Sequence, residues 1–61
     1  MSGRDVVKRL QREGWAVDRQ RGSHVMLEKD GRTVAVPVHG NRDLGKGLIA
    51  DLERQTGVKL R

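Results

Sequence analysis

The chain has 61 residues, with 13 Lys and Arg against 8 Asp and Glu, for a formal net charge of +5. That length carries one thin hydrophobic core, which excludes a deep pocket beneath a lid. The absence of cysteine excludes a disulfide framework and a thiolate metal site, and no apolar run approaches the length of a membrane span.

The first element is a helix over about residues 3–13. Ser2 is placed to cap it and Asp5 puts a carboxylate in its first turn. Val6, Val7 and Leu10 share one face, and Gly14 suits the left-handed position past the end. Trp15-Ala16-Val17 alternates as a first strand. Arg19-Gln20-Arg21-Gly22-Ser23 is polar and reads as a turn. His24 to Lys29 is a second strand, Asp30-Gly31 a two-residue hairpin turn, and Arg32 to Val36 a third strand. Pro37 ends the regular pairing or sits on an edge. His39 to Asp43 is a loop. Leu48, Ile49, Leu52 and Thr56 share a face of a second helix closed by Gly57. Its start is open: a cap at Asp43 would put Gly45 and Gly47 inside, each costing about 1 kcal/mol relative to Ala.

The fold class is α+β, in the order α-β-β-β-α over a single domain of residues 1–61. Both apolar helix faces are buried most simply on one face of a three-stranded antiparallel sheet. The other face is then open. With Val25 and Leu27 pointing to the helices, His24, Met26 and Glu28 point away, unless a bulge near Gly22 changes the register.

The basic excess is mostly arginine, nine against four lysines. The planar guanidinium fork matches phosphate, so a polyanion is the first partner to consider.

Motifs along the whole chain carry a resemblance. They are the Ser2-Gly3 opening, Leu10 to Gly14-Trp15, Gly22-Ser23-His24, Asp30-Gly31-Arg32, Val36-Pro37-Val38-His39, Lys46-Gly47 before Leu48-Ile49, and Gln55, Gly57 and Val58. In these the chain resembles the HicA-type toxins, small mRNA-cleaving partners of HicB in bacterial and archaeal toxin–antitoxin pairs. Two departures are Trp15, where Phe is commoner, and Leu48, where the family often has Thr or Ser. The resemblance implies a double-stranded-RNA-binding-like fold. It also implies endoribonuclease cleavage of mRNA without a metal or other cofactor, with His24 at the site. A HicB-like antitoxin would cover His24 and the basic face, with the open sheet face around Met26 as the expected contact. The toxin alone would be a monomer, cytoplasmic and away from membranes, and would join a larger complex with its antitoxin.

Cleavage without metal needs a base for the 2′-hydroxyl proton and an acid for the leaving 5′-oxygen, and a histidine suits either role. His39 is a possible second such group, but reads as a loop residue. Arg19, Arg21 and Lys46 are the candidate phosphate contacts, Lys46 because it stands where a helix start favours anions. Ser23 is a turn residue able to hydrogen-bond phosphate, with no Ser-His-acid arrangement around it. Trp15, the one aromatic residue, belongs to the core. The alternative is a non-catalytic double-stranded-RNA-binding module, although Arg42 and Lys46 make a sparse basic start to its last helix. A helix-turn-helix reader of DNA has no counterpart in this element order.

Overall fold

A computed structural model describes residues Met1–Arg61. Helix α1 spans Gly3–Arg12, and both halves of its expected capping box are formed. The Ser2 backbone N–H donates to Asp5 Oδ2 at 3.0 Å, and the Asp5 N–H donates to Ser2 Oγ at 3.2 Å. At the other end Gly14 has a φ of 94°. Its N–H reaches the Gln11 carbonyl at 3.1 Å and the Trp15 N–H reaches the Leu10 carbonyl at 3.0 Å. This paired closure satisfies carbonyls that the helix itself leaves free. Lys29 Nζ adds a cation at the same end, 2.6 Å from the Glu13 carbonyl.

Strands β1 (Ala16–Arg21), β2 (His24–Lys29) and β3 (Arg32–Pro37) form an antiparallel sheet in the order β1-β2-β3. Asp30 and Gly31 have φ of 50° and 78°, as the tight hairpin between β2 and β3 demands. Pro37 lies on an outer strand, in register with His24.

One expectation needs correction, and two points left open are resolved. The polar stretch from Arg19 to Arg21 is strand, and the turn shrinks to Gly22-Ser23. The bulge sits at Asp18, well before Gly22, because Val17 pairs with Leu27 and Arg19 pairs with Met26. Helix α2 begins at Lys46 with Gly45 as its cap (Lys46–Thr56), so Asp43 does not cap it. Asp43 instead takes the N-terminal ammonium at 3.3 Å and bridges to Ser2.

The core gathers Val6 and Leu10 of α1, Val25 and Leu27 of β2, Val34 and Val36 of β3, and Ile49 and Leu52 of α2. Both helices therefore cover the same face of the sheet. After α2 the chain adds Val58 and Leu60 to this core. Glu53 fixes that tail by accepting the Leu60 N–H at 2.8 Å and the Arg61 N–H at 3.3 Å. No helix is long and apolar enough to cross a membrane.

Candidate active site on the open sheet face

His24 opens β2 just after a two-residue turn. Gly22 has a φ of 58°, which suits the first central position of a tight hairpin. Val25 and Leu27 are buried, so alternation sends the His24, Met26 and Glu28 side chains to the face away from the helices. His24 and Glu28 are exposed there and Met26 is half-buried. The His24 imidazole has no hydrogen bond or ion pair within the protein, which leaves both ring nitrogens available to a substrate.

The Asp18 bulge decides what stands beside it. Directly opposed residues on neighbouring strands share a face, with Cβ atoms about 5 Å apart. Arg21 pairs with His24 and Arg19 pairs with Met26, so both arginines stand on the face of His24. With Asp18 paired regularly, every later side chain of β1 would reverse. Arg19 would then face the helices and Gln20 would oppose His24. The extra residue thus sets two arginines on the same face as the imidazole, Arg21 directly opposite it.

Arg21 has no ion-pair partner, and Arg19 has only Asp18 at 3.9 Å between two exposed side chains. Such a pair contributes about 0–1 kcal/mol, too little to keep Arg19 from a phosphate. Ser23 is half-buried at the turn, and its carbonyl accepts the Val38 N–H at 2.6 Å. That bond fastens the His24 turn to the segment leaving β3.

Gly3 braces the same segment from behind. A Cβ on Gly3 would lie 2.0 Å from the Pro37 carbonyl oxygen, so only glycine lets α1 approach there. Sequence reasoning did not find this role. The one available signal was a glycine in a first helical turn, where helix propensity disfavours it.

Lys46 stands apart from the other four candidates. It is exposed at the first position of α2, a helix packed on the opposite face of the sheet. His39 opens an exposed turn closed by the Arg42 N–H on the His39 carbonyl at 3.1 Å. A His39–Asp43 pair is not formed, since Asp43 engages the N-terminus. Trp15 is in the core as expected, 3% exposed, with its indole N–H unpartnered.

The family model of the HicA toxin of bacterial toxin–antitoxin systems matches residues 3–58, a span that includes all five candidate site residues. The chain belongs to the HicA toxin family. Among curated proteins this HicA-family chain is similar to a probable mRNA interferase HicA of Pseudomonas fluorescens (strain Pf0-1). The two are 30% identical over 50 residues, which is 82% of this chain and 83% of the relative. No solved structure matches.

Proposed function

We propose that this HicA-family toxin is a metal-independent mRNA endoribonuclease in which His24 is the acid–base group. The observation that carries the reading is the cross-strand pairing of Arg21 with His24 on an open face. The name of the Pseudomonas relative supports the same activity. In the proposed reaction the 2′-hydroxyl attacks the adjacent phosphorus and the bond to the 5′-oxygen breaks. The products are a 2′,3′-cyclic phosphate and a free 5′-hydroxyl. His24 takes the 2′-hydroxyl proton or supplies the proton to the departing oxygen. Arg21 neutralises the charge that builds on the phosphate oxygens, with the Ser23 hydroxyl beside it at the turn. Arg19 holds the strand, and Lys46 adds attraction at the positive end of α2.

One acid–base residue contributes about 10²–10⁴-fold, so the enzyme is slow per encounter. A HicB-like antitoxin neutralises it by covering His24 and the arginines. Met26, half-buried between them, is the apolar centre of that contact.

Induction of the wild-type chain in a bacterial host is expected to arrest growth. His24→Ala, shown folded by circular dichroism, is expected to relieve the arrest. Co-expression of a HicB-like partner is expected to relieve it for the wild type. Full toxicity of folded His24→Ala removes the catalytic assignment.

A further inference from the structure

The open face carries its charges in an order along β1 and β2. From the turn outward, the opposed pairs on this face are Arg21 with His24, Arg19 with Met26, and Ala16 with Glu28. On the far side of β2, strand β3 offers Pro37, Ala35 and Thr33 at the same three levels, none of them charged. Positive charge is therefore confined to one edge of the face and to two successive levels. The Asp18 carboxylate of the bulge lies 3.9 Å from Arg19, and the third level brings a further carboxylate, Glu28.

Successive outward positions on a strand are about 7 Å apart, two residues at about 3.3–3.4 Å each. That separation is comparable to the step between neighbouring phosphates in an extended single strand. A flexible arginine side chain takes up the difference. We propose that the open face is a two-phosphate track for single-stranded RNA: the phosphate to be cleaved sits at Arg21 and His24, its neighbour sits at Arg19, and Glu28 ends the track by repelling a third. The choice of the cleaved phosphate rests on the nuclease reading above; the track itself requires only binding.

Two further observations fit this ligand. The face carries no Trp, Tyr or Phe side chain, since the one such residue, Trp15, is buried. Bases therefore find only the His24 ring and the guanidinium planes to stack on, and recognition runs mainly through the backbone with little sequence preference. The row of cations is one strand wide, with a neutral strand on its other side. A duplex presents two phosphate rows across a groove, and only one of them would find cations here.

The test is a binding series with uncleavable 2′-O-methyl oligouridylates lacking terminal phosphates, from dinucleotide to octanucleotide, followed by NMR titration at low salt. For the wild type, affinity is expected to rise by roughly tenfold from dinucleotide to trinucleotide, when the second phosphate arrives, and to level off beyond it. Arg19→Gln is expected to remove this step, and Arg19→Lys to restore most of it. Glu28→Gln is expected to make the tetranucleotide bind more tightly than the trinucleotide. Affinity that climbs with every added phosphate in the wild type overturns the track, as does an equal Arg19→Gln loss on dinucleotide and octanucleotide. The two readings fail separately. A length step in a protein that cleaves no RNA leaves the track and removes the nuclease; cleavage without a length step does the reverse.

Discussion

At the scale of single residues, the imidazole of His24 and the indole of Trp15 show opposite uses of a polar ring. His24 is exposed on the open face with no partner in the protein, which leaves its nitrogens free. The Trp15 ring is buried and its N–H goes unsatisfied. A buried donor left unpaired costs about 1–3 kcal/mol. Trp15→Phe removes that cost and loses some apolar area and packing. The two changes oppose each other, and chemical denaturation is expected to place this variant within about 1 kcal/mol of the wild type. Trp15→Ala, which keeps neither ring nor contacts, is expected to lose about 3–5 kcal/mol. A Trp15→Phe loss as large as the Ala loss contradicts the assignment of the indole N–H as a burden.

At the scale of elements, the site depends on two backbone features that bring no reactive group of their own. The Asp18 bulge turns Arg19 and Arg21 toward His24. Gly3 lets the start of α1 press on the Pro37 carbonyl, behind the segment bonded to Ser23. Gly3→Ala forces a Cβ against backbone that cannot turn aside, and overpacking of this kind costs about 1–3 kcal/mol. Thermal unfolding is expected to show the loss. The Pro37–Val38 shift is also expected to move the His24 amide in an NMR spectrum. A Gly3→Ala protein of wild-type stability contradicts the close approach.

These elements also show where the sequence was legible. Helix α1 announced both ends, through Ser2 with Asp5 and through Gly14, because capping chemistry is local. The Asp30-Gly31 turn was legible because few residue pairs accept two positive φ angles. The alternation in β2 put His24 on the open face correctly. The second half of β1 was hidden: an edge strand exposed on all six residues has no apolar face to mark it. The bulge then breaks what periodicity remains. The start of α2 was unclear because its cap is Gly45, which makes no side-chain hydrogen bond. The tail through Leu60 is held by a carboxylate seven residues back, a pairing that no local pattern announces.

At the scale of the whole molecule, the +5 charge is unevenly supported. The carboxylates of Asp5 and Glu53 hold the two ends of the fold. Backbone and side-chain hydrogen bonds from Ser2 lower the Asp5 pKa. Hydrogen bonding to the Leu60 N–H, and then to Arg61, lowers that of Glu53. A lowered folded pKa means that the unfolded chain takes up protons first as pH falls. The stabilisation is therefore complete above the ordinary carboxylate range near about 4 and disappears as pH descends through the lower folded values. Stability measured by denaturant is expected to fall below about pH 4, and to fall less in Glu53→Gln. Identical acid slopes for the two proteins contradict the role of Glu53.

The central claim concerns His24, and cleavage of a single-stranded RNA in excess EDTA tests it most directly. Wild type and His24→Ala are compared at equal concentration after both are shown to be folded. The wild type is expected to cut slowly and leave 2′,3′-cyclic phosphate ends, with His24→Ala slower by about 10²–10⁴-fold. Equal rates for the two proteins, or wild-type cleavage that stops in EDTA, contradict the account.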